Sequence, residues 1–272
     1  MNAGTSQVRM VADVGGTNTR IALYDPAAGE FRALGTFINC EFTHFEDVVD
    51  AWLQALDETP PALACIAVAA PPSGDRVSMI NINWSFSCSE VAARFGFRQF
   101  RCLNDFEGNA HALPYLQAAD LHCLHSGEPA RADADVARVL ATVGPGTGLG
   151  GAILHSARDT VFTRACEPGH MGLSPASERE QELFRLLLQR FGNVYAELLV
   201  SGPGLRRLYE TLAEIDGAVA ATWTPAEISR EALAGRDPLC VEALSGFCEL
   251  LGSVCGDFIL ANGAYDGLYL AG

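Results

Sequence analysis

Apolar residues fall in short alternating runs near the start of this chain and in longer helical stripes toward its end. Residues 9–15 and 19–25 read as two β-strands joined by the turn "GTN", and "DPAAGE" is a hairpin-like connection into a third strand, "EFRALGTFIN". Over 44–56, Phe45, Val48, Val49, Trp52, Leu53 and Leu56 recur at helical spacing. "ALACIAVAA" (62–70) is the continuous apolar run of a strand buried on both faces. "RVSMINI" predicts another strand, "SCSEVAARFG" a helix capped by Ser87 or Ser89, and "QFRCLND" a strand ending at Asn104 and Asp105. The polar stretch "HSGEPARADAD" (125–135) reads as a surface loop. The second half opens with three more strand-like runs, "ARVLATVG", "LGGAILHS" and "TVFTRAC". Helices follow at about 177–191 and 194–215, the latter interrupted by "SGPG" (201–204). Thr224 before Pro225 starts a short helix, and a long apolar helix over roughly 238–261 precedes a last strand, "GLYLAG".

One pattern occurs twice. "VADVGGTNTRIALYD" (11–25) and "LATVGPGTGLGGAIL" (140–154) each run from an apolar strand through a polar glycine turn into a second strand. This predicts an α/β protein made of two copies of one β-rich unit, with a phosphorylated ligand between the copies. Gly15, Gly16, Gly144, Gly146 and Gly148 permit positive φ and close approach of backbone amides to a ligand. Successive N–H groups then make a concave nest for phosphate, to which Thr17, Asn18 and Thr147 add side-chain donors. Asp13 repels a bare phosphate but suits a magnesium ion or its water shell. Two ordinary hairpins with glycine bulges are the alternative, and the repetition favours the ligand.

Charge narrows the partners. The net charge is −15 and every basic residue is arginine. Such a surface repels nucleic acid and acidic membranes, and the absence of lysine removes Schiff-base, P-loop and protein-kinase chemistry. Nine scattered cysteines in mostly apolar settings fit a reduced, cytoplasmic protein better than a disulfide framework. The sequence "MNAGTSQVRM" lacks the apolar stretch of a signal peptide, and no run is expected to cross a bilayer.

Three stretches carry candidate chemistry. Asp105, at the end of a buried strand and the start of a helix, can accept a hydroxyl proton during phosphoryl transfer; equally, Asn104 or Asp105 can simply cap that helix. Glu167 and His170 flank a Pro–Gly turn from which both can reach vicinal sugar hydroxyls, although a lone loop histidine is more often solvated. "LHCLH" (121–125) is too tightly spaced for a metal site, and Cys166 reads as a packed thiol because no base pairs with it.

Taken together, "ADVGGTNTRIAL", "PPSGDRVSMININWSFS", "LNDFEGNAHALP", "VGPGTGLGGAIL", "EPGHMGLSP" and "ELLVSGPGLRRLY" stand in the order of one family. The chain resembles the bacterial glucokinases of the hexokinase/actin-like ATPase superfamily, from about residue 9 to its last residue. The resemblance implies two RNase-H-like (actin/hexokinase-type) α/β domains with an intervening cleft, a small one over 1–109 and a large one over 110–272. It implies ATP- and Mg2+-dependent phosphorylation of the glucose 6-hydroxyl, and it allows a homodimer. Ala12, Asp13, Val14, Gly15, Gly16 and Thr17, with Asn18, match the first phosphate loop; Gly144, Gly146, Thr147 and Gly148 match the second. Asp105 falls on the catalytic base, Asn104 on a sugar contact, Glu167 and His170 on the sugar loop, and Glu197 on a further sugar-holding glutamate.

Four departures qualify the expectation. Pro168 replaces a glycine of the sugar loop, which predicts a stiffer or shifted loop, and Gly172 stands where the family often has an acidic residue. The cysteine-rich zinc motif of the sister sugar-kinase family is absent. The C-terminal part that completes the nucleotide pocket in family members is expected to be missing, since "DGLYLAG" stops at the family's adenosine-binding glycines. These departures favour two rival readings: a sugar-binding homologue or fragment without turnover, and a kinase of another hexose.

Overall fold

A computed structural model describes residues 8–70, 74–79, 82–125, 137–158 and 160–271. The chain divides into two units, 1–108 and 109–272. The first begins with β1 (Arg9–Val14), β2 (Asn18–Asp25) and β3 (Glu30–Ile38), an antiparallel meander. The β2–β3 connection turns because the Asp25 carboxylate accepts from the N–H groups of Ala27 and Ala28 while Gly29 takes φ +69°. Then come α1 (Phe45–Gln54), β4 (Leu63–Val68), a short hairpin of β5 (Arg76–Ser78) and β6 (Ser85–Ser87), α2 (Cys88–Phe95) and β7 (Gln99–Asn104). The strand expected over "RVSMINI" thus spans only Arg76–Ser78, and residues 80 and 81 lie outside the described set. The five-stranded sheet has the order β3-β2-β1-β4-β7, with β4 and β7 joining parallel to β1.

Apolar alternation accounts for the packing of this sheet. Met10, Ala12 and Val14 of β1 and Ala64, Ile66 and Val68 of β4 enter one core with Phe45, Val48, Val49 and Trp52 of α1. Ser87, the first of the two expected caps, accepts from Glu90 N–H and starts α2, which ends at Gly96 in the left-handed region.

The second unit repeats the meander. β8 (Arg138–Pro145), β9 (Leu149–Ala157) and β10 (Thr160–Cys166) are antiparallel, and the last strand, β11 (Gly267–Leu270), joins parallel to β8. The order β10-β9-β8-β11 therefore matches β3-β2-β1-β4 of the first sheet, as the repeated pattern predicts. α3 (Asp105–Ala112) carries the chain from the first unit into the second. The second unit adds α4 (Glu178–Phe191), α5 (Ala196–Leu199), α6 (Gly202–Ile215), α7 (Pro225–Leu233) and α8 (Pro238–Asn262). Their apolar faces cover Ala141, Val143, Leu149 and Ile153 of the sheet. The helix expected over 194–215 is two helices, because Ser201 caps a fresh start by accepting from Gly204 N–H. The loop expected over 125–135 lies, from residue 126 on, outside the described residues.

The bilayer expectation needs correction. α8 has 25 residues and is long and apolar enough, by length and composition, to cross a membrane. Its Ala, Gly, Ser and Cys positions hide that length from a reading that looks for runs of bulky apolar residues. Here Cys240, Ala243, Leu250, Val254 and Phe258 of α8 are buried in the core it shares with α6 and α7, and Glu242, Glu249 and Asp257 lie along it. One face of α8 packs into the core of this unit, and the rest of the helix is half-buried or exposed.

Candidate active site

The first glycine turn joins Val14 of β1 to Thr19 of β2, which pair directly. Gly15 N–H donates to Asn18 O at 3.0 Å and closes a loop of residues 15–18. Gly15 does not take positive φ, nor do Gly146 and Gly148 of the second turn, which corrects one reason expected for these glycines. Of the three, only Gly148 has a neighbour that a Cβ would overlap, the Glu197 carboxylate. The amides of Gly16 and Thr17 have no partner among the described residues, so the turn presents a pair of adjacent donors. Asp13, exposed on β1 one residue before Val14, is paired with Arg20 of β2 at 3.2 Å. Both side chains are more than half exposed, so that pair is worth about 0–1 kcal/mol and yields readily to another cation.

Asn104 and Asp105 end β7 and begin α3. Asn104 Oδ1 accepts from Phe106 N–H at 3.0 Å and Glu107 N–H at 3.3 Å, so Asn104 is the helix cap. Of the two readings left open for this pair, the capping one holds for Asn104, whose Nδ2 lies 3.5 Å from Ala70 O. Asp105 accepts from Phe106 N–H at 2.9 Å and is half-buried. Burial raises its pKa, and the negative Asp13 raises it further, against the lowering effect of the Phe106 N–H. A carboxyl at a strand end, held near its task with raised proton affinity, has the properties of a general base.

The second turn is tighter. Pro145 pairs with Leu149, and Gly146 N–H donates to Gly148 O at 2.8 Å, leaving the amides of Thr147 and Gly148 without partners among the described residues. Gly144 is the last-but-one residue of β8, paired with Gly150. Two contacts from distant segments hold this turn. Gly202 N–H, at the start of α6, donates to Gly146 O at 2.8 Å, and Leu149 N–H donates to Glu197 Oε2 at 2.9 Å. A side chain on Gly148 would overlap the Glu197 carboxylate, which explains glycine there.

The same carboxylate reaches the loop of Glu167 and His170. A Cβ on Gly169 would meet Leu149 O at 2.7 Å and Glu197 Oε2 at 3.1 Å, so Glu197 is wedged between the turn at 146–148 and this loop. The loop is a 3-10 turn, Pro168–His170, with proline in its first position, where no N–H is needed. Pro168 is buried against Gly151 of β9, whose Cβ would lie 2.8 Å from the proline ring. Pro168 thus packs the start of the loop against β9. Glu167 and His170 are exposed on either side, and the His170 ring lies 6.1 Å from that of Tyr195.

Two negative expectations concern the cysteines and histidines. Burial pushes the thiols of Cys65, Cys88, Cys102 and Cys166 upward, which makes them poor nucleophiles. His122, Cys123 and His125 are exposed, and among the described residues no group of three candidate ligands could hold a metal ion.

Comparison with known proteins places these features in a family. The Glucokinase family model matches residues 10–272. The chain is 39% identical over 266 residues to the glucokinase of Saccharophagus degradans, covering 97% of this chain and 81% of that protein. It is similar to a solved glucokinase from an Antarctic psychrotroph, with a TM-score of 0.82 and 34% identity over 97% of this chain and 82% of that one. It also shares the fold of a glucokinase from Balamuthia mandrillaris solved in complex with glucose, with a TM-score of 0.78 and 22% identity over 100% and 81% of the two chains.

Proposed function

The chain belongs to the glucokinase family and is a glucose-phosphorylating kinase; from that premise we propose that it transfers the γ-phosphoryl group of ATP to the glucose 6-hydroxyl, with Asp105 as general base. Asp105 takes the hydroxyl proton as the new O–P bond forms, and the bond from the γ-phosphorus to the ADP oxygen breaks. The observation that carries this reading is the half-buried Asp105 carboxyl with its raised pKa at the end of β7, whereas the carboxylates of Asp13 and Glu167 are exposed.

The amides of Gly16 and Thr17, and those of Thr147 and Gly148, without partners among the described residues, are the phosphate donors in this scheme. Without lysine, backbone dipoles carry the work that an ammonium performs elsewhere. Ala12 and Val14 are buried strand residues that fix the first turn, and Asn18 and Thr147 border the donors. The donor set also fits magnesium, which takes one or two carboxylates and completes its shell with phosphate and water. Asp13 would hold it, exchanging its exposed pair with Arg20. When bound, the ion supplies neutralisation of phosphate charge.

Glu167, His170 and Glu197 orient the sugar in this reading. With Oε2 of Glu197 already engaged by Leu149 N–H, Oε1 is the oxygen offered to a hydroxyl. Asn104, its Oδ1 occupied by the α3 cap, offers only Nδ2 to a sugar. All nine cysteines are free thiols, which supports the cytoplasm as the setting.

The test is steady-state formation of glucose 6-phosphate by the wild type and Asp105→Ala across pH. The substitution is expected to lower kcat by about 10²–10⁴ while the affinity for glucose persists. In the wild type, kcat is expected to fall as pH drops through the Asp105 pKa, with the acid limb above the ordinary carboxylate range because burial favours the protonated form. Unchanged kcat in Asp105→Ala would remove this residue from the chemistry.

A further inference from the structure

Asn39 follows β3 directly and is 2% exposed, a polar side chain in a place where each of its groups needs a partner. Its carbonyl accepts from Phe42 N–H at 3.1 Å, and its other partners belong to the first glycine turn and the start of β2. Its Nδ2 donates to Gly15 O at 2.8 Å, its backbone N–H donates to Thr17 O at 2.9 Å, and its Oδ1 accepts from Thr19 Oγ1 at 2.7 Å. The amide orientation follows from the chemistry, since a carbonyl oxygen only accepts and must face the NH2 group. Thr19 is itself fully buried. One neutral residue thus grips residues 15 and 19 with its side chain and 17 with its backbone N–H, and the amides of Gly16 and Thr17, without partners among the described residues, lie within that grip.

We propose that Asn39 is a positioning residue for nucleotide binding, holding the amides of Gly16 and Thr17 where a phosphate of ATP meets them. This rests on the reading of the first turn as a phosphate site. Asn39 lies just past the end of β3 and acts through the turn's backbone, so its loss shows in the nucleotide parameters and spares those of the sugar. A carboxylate at this position keeps the bond from Thr19 but sets its other oxygen against Gly15 O, replacing a donor–acceptor contact by repulsion.

The experiment compares wild type, Asn39→Asp, Thr19→Val and Thr19→Ser, measuring KM for MgATP and for glucose and hydrogen exchange at residues 15–18 and 39. In Asn39→Asp the MgATP KM is expected to rise roughly tenfold to a hundredfold while the glucose KM stays within about twofold. Thr19→Val, which deletes only the hydroxyl bond, shifts the same parameter less, and Thr19→Ser restores it. Exchange at the Gly15 amide, bonded to Asn18 O, and at the Asn39 amide, bonded to Thr17 O, quickens in both affected variants. If Asn39→Asp does not fold, Thr19→Val decides. An unchanged MgATP KM in a folded variant, or a parallel rise in both KM values, overturns the proposal. A wild type that shows no saturation by MgATP defeats the functional reading instead, and the exchange data then decide by themselves whether Asn39 grips the turn.

Discussion

The two glycine turns share the strand order around them, yet they differ in length and different chemistry holds them. The first is a loop of residues 15–18 gripped from just past the end of β3 by the neutral, buried Asn39. The second is a loop of residues 146–148 held by the carboxylate of Glu197 and by the first N–H of α6. Repetition of the sheet therefore fixes where a turn falls, and a non-repeated anchor fixes which amides it presents. The difference has a functional side. Asn39 holds the first turn to the start of β2, whereas Glu197 holds the second turn and also abuts the Gly169 loop, so the second turn is tied to the loop of Glu167 and His170.

That contrast can be broken most severely at Gly204. A Cβ there would overlap the backbone of Leu199, which cannot move aside as a flexible side chain would. Gly204→Ala should therefore disturb the Ser201 cap and the start of α6, costing about 1–3 kcal/mol or more. Thermal unfolding should show a Tm lowered by several degrees, about the scale for that cost in a domain of this size. A Tm equal to that of the wild type would mean that α6 does not need a glycine there.

Glu197 sharpens the contrast at smaller cost. In Glu197→Ala the Leu149 N–H loses its partner and a candidate sugar contact goes with it, so KM should rise for both glucose and MgATP, each by roughly tenfold. Glu197→Gln keeps an oxygen for Leu149 and should spare MgATP while still weakening glucose. If the two variants raise the MgATP KM equally, the negative charge and not the hydrogen bond supports the second turn. If neither affects MgATP, the turn does not depend on Glu197.

Much of this architecture is legible in the residues, for local reasons. β1, β2, β4 and β7 follow apolar runs bounded by polar turns, and α1 follows the spacing of Phe45, Val48, Val49 and Trp52. Ser87, Thr224 and Ser201 mark helix starts because a short oxygen-bearing side chain satisfies an N–H that the helix itself cannot. Asp105 is legible as well, from its place at a strand end. The anchors are not. Asn39 closes an exposed edge strand with no apolar rhythm around it, and only the fold brings it against residues 15, 17 and 19. Gly148 looks in sequence like a residue needed for φ, and only the arrival of Glu197 from a remote segment shows that its Cβ position is crowded by a carboxylate. Pro168 signals stiffness in sequence, but its partner Gly151 is defined by packing.

The central claim is that one device, a strand–turn–strand with two amides that have no partner among the described residues, binds phosphate at both places. Hydrogen exchange of the wild-type protein, with and without a non-hydrolysable MgATP analogue at saturating concentration, tests it most directly. The account predicts slowed exchange in residues 15–18 and in residues 146–149 alike, with the strand centres of β2 and β9 unchanged. Protection of one turn alone, or of neither while the analogue is bound, would contradict it.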